Sequence, residues 1–203
     1  EFRPASPYAI SKLFAYWTVI NYRKAYNIFA VNGILFNHES EKRGATFVTK
    51  KITRAVADHY LGKNSILFLG NLDAKRDWGS AKDYVKTMWM MLQKKKPDDY
   101  VIASGKSRSV REFVKEAYGC IGIKIKWVGK GLNETGIDSK TKNKLIKIDK
   151  YYFRPTEVDE LRGDSSKAKR ELGWKPQITF KKMVRDMVDF DIKKAISQRD
   201  VNN

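Results

Sequence analysis

Tyr8 and Lys12 lie four positions apart in a segment with helical character, so their side chains share one helix face. A free tyrosine has a pKa of about 10 and is a poor base at neutral pH, whereas a fixed ammonium group nearby favours the phenolate. Tyr-x-x-x-Lys is therefore a compact proton-transfer group. Any amphipathic helix can carry this spacing by chance, with the tyrosine packed and the lysine in water, so the neighbouring residues decide between the two interpretations.

The elements around this pair predict half of a parallel α/β unit. Ser6 can cap a helix and Pro7 suits its first position, so a helix is predicted over 7–26. The apolar run 28–36 is typical of a strand buried on both faces of a parallel sheet. The polar loop 37–40 follows directly. Ligands bind at such strand ends in open α/β sheets, which makes this loop a candidate site.

The remaining chain alternates predicted helices and strands. Capping-box patterns begin helices at Ser80, with Asp83, and at Ser109, with Glu112. Further helices are predicted at 47–60, 164–173 and from 179 onward, and strands at 65–69, 100–103, 123–128 and 145–148, the last as an edge strand. Two loops are predicted, a turn-rich one at 70–79 with Trp78 buried and a mobile surface loop at 129–144. The stripe Val85, Met88, Trp89 and Leu92 is predicted to pack in the core, and 151–159 joins aromatic residues with arginine and glutamate.

Composition limits the classes of function. The 203 residues, 42% of them apolar, suffice for one large domain or a domain with a small lobe. Cys120 is the single cysteine, so no disulfide can form within the chain, and a reducing cytoplasmic setting is expected. With two histidines and no metal-ligand spacing, no metal site is expected. No membrane-spanning segment or signal peptide is predicted.

The formal net charge is +18, and the lysines are spread along the whole chain. A solvated lysine-rich surface explains most of this charge, and an anionic nucleotide ligand would add to it. The charge alone also allows a basic nucleic-acid-binding or non-catalytic interaction module. No known nucleic-acid motif supports that alternative, and no local basic patch is interleaved with aromatic residues, so we expect no nucleic-acid partner.

Several stretches together resemble the GDP-mannose 4,6-dehydratase family of extended short-chain dehydrogenase/reductases. They are Ser-Pro-Tyr-x-x-x-Lys (6–12), Asn-Gly-Ile-Leu-Phe-Asn-His-Glu-Ser (32–40), Phe-Val-Thr-x-Lys-Ile (47–52), Leu-Gly-Asn-Leu-Asp-Ala-Lys-Arg-Asp-Trp-Gly (69–79), Arg-Pro-Thr-Glu-Val (154–158) and Gly-Asp-x-x-Lys-Ala-Lys-x-x-Leu-Gly-Trp-x-Pro (163–176). The resemblance covers nearly the whole chain in order. Segments 37–40 and 71–78 are the most specific, whereas Leu-Gly-Trp-x-Pro is shared by many nucleotide-sugar enzymes.

The resemblance implies an α/β fold with two parts. Residues 1–45 would be the distal part of an NAD(P)-binding Rossmann fold. Residues 46–203 would form mainly a smaller α+β lobe for the GDP-sugar, with some segments returning to the Rossmann sheet. The implied cofactor is NADP and the implied substrate is GDP-mannose. The family also implies a homodimer or homotetramer, and exposed aromatics at Phe14, Tyr22 and Tyr26 on the first helix would allow such a contact.

The same resemblance implies an internal redox cycle. Hydride leaves sugar C4 for NADP⁺ while a tyrosinate takes the 4-OH proton; the 4-keto group acidifies C5–H, water leaves from C6, and the hydride returns to C6. Tyr8 would be the base, and Lys12 would stabilise the tyrosinate and hold the nicotinamide ribose. His38 and Arg43 match positions that contact NADP. A satisfied buried imidazole is the alternative for His38.

Positions on the GDP-sugar side follow from the resemblance in the same way. They are Asn37, Phe47, Val48, Lys51, Gly70, Arg76, Arg154 and Glu157. Arg76 or Arg154 can clasp a diphosphate in a bidentate fork. The alternative for each arginine is a surface ion pair, with Asp77 or Glu157 respectively. Glu157 could accept hydrogen bonds from ribose hydroxyls or simply neutralise Arg154.

Two parts of the family pattern are absent from these 203 residues: the Gly-rich phosphate loop, and the Thr and Glu that precede the catalytic tyrosine. Both are expected upstream of Glu1, so the chain is expected to be the later part of a longer protein, or a processed or shortened product. No dehydratase turnover is expected from it alone, and its open sheet edge would favour aggregation. Another NDP-sugar epimerase or reductase of the same superfamily remains the alternative within the enzyme class.

Overall fold

The computed structural model describes residues 3–153 and 158–201. Its helices are α1 (Pro7–Tyr26), α2 (Val48–Tyr60), α3 (Ala81–Leu92), α4 (Val110–Gly119), α5 (Ser166–Leu172) and α6 (Phe180–Val201). Its strands are β1 (Asn32–Leu35), β2 (Asn37–Glu39), β3 (Leu67–Leu69), β4 (Lys75–Ser80), β5 (Asp99–Ile102), β6 (Ser107–Ser109), β7 (Ile125–Val128), β8 (Thr135–Asp138) and β9 (Lys144–Ile148). Short 3-10 helices cover Gly131–Asn133 and Lys150–Tyr152.

The described strands form three small sheets, of which one is parallel and two contain both parallel and antiparallel pairs. β1 pairs parallel with β5; β2, β4 and β6 form a second sheet; and a third has the order β3-β9-β8-β7. The pairs β2–β4 and β3–β9 are also parallel, so each is joined by a crossover that contains a helix. The predicted α/β fold class agrees with this arrangement.

The predicted first helix is confirmed, including its cap at Ser6. The Ser6 hydroxyl accepts the Ala9 N–H at 3.1 Å, and Asn27 ends the helix in the left-handed conformation, with φ 51°. Arg23 anchors the C-terminal end, because it donates to the Ala30 carbonyl and pairs with Asp99 next to β1. No residue of α1 is buried within the described chain, although the Tyr16 carbonyl in the middle of the helix accepts the Asn32 side-chain amide at 3.3 Å.

The prediction of one buried strand over 28–36 is wrong. Only Asn32–Leu35 pairs, with β5 as its single partner strand in the described residues, and the side chains of Ile28, Phe29 and Ile34 are 46, 43 and 41% exposed. Burial on both faces requires a layer on each side, which these residues do not supply. The predicted loop 37–40 is also wrong, since Asn37–Glu39 is strand β2.

Two predicted loops contain strands. The second half of 70–79 is β4, which pairs with β2 and β6 and buries Trp78 as predicted. The region 129–144 is not an open loop, because it contains β8 and a tight turn in which Asp138 accepts the Lys140 N–H and the Thr141 hydroxyl. Strand β9 is not an edge strand, since it lies between β3 and β8.

Helices α2, α4 and α6 pack together in the larger hydrophobic core. Ile52 and Val56 of α2, Phe113 of α4 and Met187 of α6 belong to the same fully buried cluster. The capping box at Ser109 is confirmed.

The capping box at Ser80 is wrong, because the Asp83 carboxylate instead accepts the N–H groups of Gln177 and Ile178. The predicted α3 core stripe is wrong as well. Tyr84 and Met91 are the buried apolar residues of that helix, while the stripe itself (Val85, Met88, Trp89, Leu92) is exposed.

Candidate active site

Strand β2 carries the first group of predicted site residues. Its parallel register sets His38 opposite Gly79 and Glu39 opposite Ser80. Successive side chains of a strand point to opposite faces, so Asn37 and Glu39 share a face and His38 lies on the other. His38 Nδ1 is 2.9 Å from the Phe36 carbonyl oxygen, and its ring centre is 5.4 Å from that of Tyr84. One imidazole nitrogen is thus satisfied by the backbone, and Nε2 makes no hydrogen bond to another described residue.

Glu39 is a buried carboxylate beside these residues, and the sequence did not single it out. Its side chain is 2% exposed, and it accepts the Thr49 hydroxyl at 2.6 Å. Arg43 Nε lies 3.1 Å from the same carboxylate. Burial raises the pKa of Glu39 above its ordinary value, although the Thr49 hydrogen bond and the Arg43 charge act in the opposite direction. The Glu39 side chain therefore contacts both the loop residue Arg43 and the helix residue Thr49.

Arg43 and Phe47, both predicted from the resemblance, lie in direct contact. The guanidinium carbon is 3.5 Å from the centre of the Phe47 ring, a cation–π geometry. Val48 is the first residue of α2, and Phe47 precedes it in an extended conformation. The cofactor-side and substrate-side predictions therefore meet in one loop at the start of α2.

Lys51 lies one turn further along α2. It is linked to the predicted residue Gly70 by Tyr152, which contacts both residues. Its ammonium donates to the Phe68 carbonyl at 3.2 Å and lies 3.3 Å from the centre of the Tyr152 ring. The backbone of Tyr152 in turn lies against Gly70. Tyr152 was not among the predicted site residues, although the aromatic run at 151–153 marked its neighbourhood.

Arg76 lies apart from this group, on β4. Its Nη1 donates to the carbonyls of Val158 and Lys75 at 2.7 and 2.8 Å. The structure shows no ion pair between Arg76 and Asp77, both of which it describes. The buried Asp77 carboxylate instead accepts backbone N–H groups from three residues, which are Ser104, Gly105 and Gly163. Arg154 and Glu157 lie outside the described residues, immediately before the segment that holds Arg76.

Tyr8 and Lys12 lie together on α1, as the spacing predicts. The Lys12 ammonium is 5.3 Å from the centre of the Tyr8 ring. Both side chains are exposed, Tyr8 by 71%. No hydrogen bond, ion pair or ring contact between described residues joins this pair to the group around His38 and Arg43.

The surface beside the Arg43 loop is strongly basic. A groove of about 1320 Å³ lies between α2 and α6, and its cationic lining consists of Lys42, Arg43, Lys50, Arg54, Lys63, Lys194 and Arg199. Three acids, Glu41, Asp58 and Asp191, line the same groove. The excess of positive charge favours anionic ligands at this end of the molecule. Within residues 3–153 and 158–201, no cluster of His, Cys, Asp and Glu could hold a metal ion, and no helix has the length and hydropathy for a membrane span.

Comparison with known proteins identifies the family of this chain. The family model for GDP-mannose 4,6 dehydratase matches residues 1–187. The curated human GDP-mannose 4,6 dehydratase is 57% identical over 191 residues, and the Drosophila melanogaster protein of that name 56%; the match covers 94% of this chain and 51% and 48% of theirs. The chain thus spans about half the length of the curated relatives it matches. The structure of RMD from Pseudomonas aeruginosa complexed with NADPH has the same fold, with a TM-score of 0.77 at 21% identity, covering 94% of this chain and 57% of that one. The chain belongs to the GDP-mannose 4,6-dehydratase family.

Proposed function

We propose that the chain supplies the proton-transfer pair and the GDP-sugar lobe of a GDP-mannose 4,6-dehydratase, an NADP-dependent lyase. The reaction converts GDP-D-mannose to GDP-4-dehydro-6-deoxy-D-mannose by internal hydride transfer and loss of water. The observation that carries the proposal is the identity of 57% to the human dehydratase across 94% of the chain. The proposed domain boundary lies near residue 45, between the Rossmann part and the lobe.

The residues present suit an NADP cofactor, which would lie against Tyr8, Lys12, His38 and Arg43. In support, Arg43 is fixed on the Phe47 ring, and its two terminal nitrogens make no hydrogen bond to another described residue. A guanidinium held in this way can present a bidentate edge to a phosphate. The relative RMD was solved with NADPH. When bound, the nicotinamide supplies the acceptor and donor of the hydride.

The proton of the sugar 4-OH would pass to Tyr8 Oη. Tyr8 must be a phenolate before it takes this proton, and the Lys12 ammonium, 5.3 Å from the ring centre, would stabilise that negative charge. Tyr8 is 71% exposed, so water and salt screen this attraction in the chain as described. We therefore propose that more protein packs against α1 in the active enzyme and excludes water from the pair.

The nucleotide part of the substrate would lie against the lobe. Lys51 and Tyr152 together present a cation beside an aromatic face, which suits a nucleotide base. Arg76, held at Nη1 by two carbonyls, presents a planar group with a fixed orientation for the diphosphate. Asn37, Phe47, Val48 and Gly70 complete the proposed substrate side, with Arg154 and Glu157 beyond the described residues.

The proposal extends to assembly and location. The exposed aromatics of α1 support a homodimer or homotetramer, because isolated apolar faces of this kind usually mark an interface. The unpaired thiol of Cys120 is compatible with a reducing, cytoplasmic location.

Turnover of a completed protein tests the proposed function. We would join the first half of the human relative ahead of residue 1 and measure formation of the 4-keto sugar from GDP-mannose with NADP⁺. We expect turnover from the joined protein and none from the 203-residue chain. A folded joined protein with no turnover would contradict the proposed activity. Turnover by the chain alone would contradict the need for further catalytic residues.

A further inference from the structure

Glu39 is a buried acidic residue, and a buried carboxylate needs hydrogen-bond or ion-pair partners. It lies at the end of β2 with 2% of its surface exposed, and a buried charge is tolerated only when paired and hydrogen-bonded. Its two partners are Thr49, whose hydroxyl donates at 2.6 Å, and Arg43, whose Nε lies at 3.1 Å. Thr49 belongs to α2 and Arg43 to the preceding loop. One carboxylate thus connects the strand end, the loop and the helix start.

The contacts of Arg43 leave one side of its guanidinium open. Phe47 covers a face of the group, with 3.5 Å between the guanidinium carbon and the ring centre, and Glu39 occupies the Nε side. The Nε–H makes no hydrogen bond of normal geometry to a described residue, so Glu39 acts on it as an opposite charge at short range. The edge formed by Nη1 and Nη2 is the one that binds phosphate in bidentate pairs.

From this geometry we infer that Glu39 is a positioning residue, which holds Arg43 against Phe47 so that its terminal nitrogens face an anionic group of the nucleotide cofactor. The inference rests on the proposed cofactor role of Arg43. It adds to that role a residue that touches neither cofactor nor substrate. Thr49 fixes the carboxylate from the other side, so the orientation of Arg43 depends on the packing of α2.

The inference can be tested against a simple charge effect, because the two explanations predict opposite changes in anion binding when Glu39 is replaced by glutamine. If Glu39 only neutralised Arg43, then Glu39→Gln would strengthen binding of an anion, and Glu39→Asp, which keeps the charge, would change little. If Glu39 positions Arg43, both variants weaken binding, because glutamine loses the charge and aspartate is too short to reach. Glu41→Gln is the matched control. It removes the same charge from the same loop, where Glu41 pairs with Lys82 and does not contact Arg43.

The first measurement reads the position of Arg43 in the 203-residue chain, independently of any function. In NMR spectra, the Arg43 side-chain protons should carry a ring-current shift from Phe47. We expect this shift in the wild type and in Glu41→Gln, and its loss in Glu39→Gln and Glu39→Asp, with the remaining spectrum folded. Retention of the shift in both Glu39 variants would overturn the inference. If Glu39→Gln fails to fold, Glu39→Asp gives the same test.

The second measurement is the affinity of the joined protein for NADP⁺ by titration calorimetry. We expect about tenfold weaker binding for Glu39→Gln and Glu39→Asp, equal to about 1.4 kcal/mol, and an unchanged value for Glu41→Gln. Equal or tighter binding by Glu39→Gln would overturn the inference. Arg43→Ala separates the two claims, because unchanged NADP⁺ affinity in that variant would refute the proposed role of Arg43, while the NMR shift would still report whether Glu39 positions it.

Discussion

The backbone of Gly70 lies so close to Tyr152 that a Cβ at Gly70 would overlap the Tyr152 carbonyl oxygen. Asp149 N–H donates to the Leu69 carbonyl at 2.8 Å in the same contact. The close approach of two chain segments thus requires glycine at position 70. This approach sets the Tyr152 ring beneath the Lys51 ammonium.

Substituting Gly70 by alanine should therefore disturb the nucleotide side of the site. We expect Gly70→Ala to displace Tyr152, to weaken GDP binding by the chain, and to lower the free energy of unfolding by about 1–3 kcal/mol, as overpacking generally does. Gly119→Ala is the control, because a Cβ there meets no atom within 4 Å. Calorimetry with GDP and urea unfolding measure the two effects. Wild-type GDP affinity in a folded Gly70→Ala chain would contradict this role for the contact.

Tyr8→Phe should separate catalysis from binding. The phenylalanine keeps the ring beside Lys12 but has no phenolate oxygen to accept the sugar proton, and general acid–base groups typically contribute about 10²–10⁴-fold to rate. We expect a loss of that size in the turnover of the joined protein and unchanged GDP affinity. Steady-state rates and calorimetry on the same preparation measure both. Full activity in Tyr8→Phe would exclude Tyr8 as the base.

Glu39 should give the protein a distinctive dependence of stability on pH. Its pKa is raised by burial above the ordinary value of 4.5, so the folded state binds this proton more tightly than the unfolded state does. The resulting stabilisation is fully present below pH 4.5 and is lost as the pH rises through the folded pKa. Each unit of difference corresponds to about 1.4 kcal/mol. We expect the stability of the wild type relative to Glu39→Gln to fall with rising pH.

Glu41→Gln provides the control of opposite sign. The Glu41 pKa is lowered, chiefly by its own backbone amide, with Lys82 contributing, so its stabilisation is present above pH 4.5 and is lost as the pH falls. Urea unfolding at several pH values from about 4 to 7 measures both differences. A Glu39→Gln difference that does not change with pH would show that Glu39 has the same pKa in both states.

Helix α1 should mediate self-association. Phe14 is 73% exposed, and Tyr22 and Tyr26 are exposed on the same helix. We expect Phe14→Asp to shift the chain towards smaller species in sedimentation velocity, because a charge in an apolar interface is costly. Tyr60→Asp, at an exposed position ending α2, is the control. Identical sedimentation of wild type and Phe14→Asp would exclude this face from the interface.

Local chemistry made parts of the fold predictable. Ser6 and the Ser109–Glu112 box cap their helices as expected, because the groups that satisfy these helix ends lie within four residues. Strands β2 and β4 were missed because their hydrogen bonds join segments about 40 residues apart, and neither segment has apolar alternation. The capping box predicted for Asp83 was wrong for a related reason, because the backbone groups that donate to its carboxylate lie far along the chain, at 177–178.

The residues of the candidate site also divide into those predictable from the sequence and those that depend on long-range contacts. Helical spacing predicts that Tyr8 and Lys12 lie together, whereas their proposed role, like Arg43 and Lys51, came from the resemblance. Glu39 and Tyr152 were not among the predicted site residues, because the contacts that make them candidates form only on folding. A buried glutamate cannot be distinguished from a surface one by residue type, and the Lys51–Tyr152 contact joins positions about a hundred residues apart.

The most direct test of the central claim is the nucleotide preference of the 203-residue chain itself. Titration calorimetry with GDP-mannose, UDP-glucose and dTDP-glucose would compare the three ligands under one buffer condition. We predict that GDP-mannose binds at least about tenfold more tightly than the other two, a difference of about 1.4 kcal/mol. Equal affinity for the three, or preference for a uridine or thymidine sugar by the folded chain, would contradict the assignment of a GDP-mannose site.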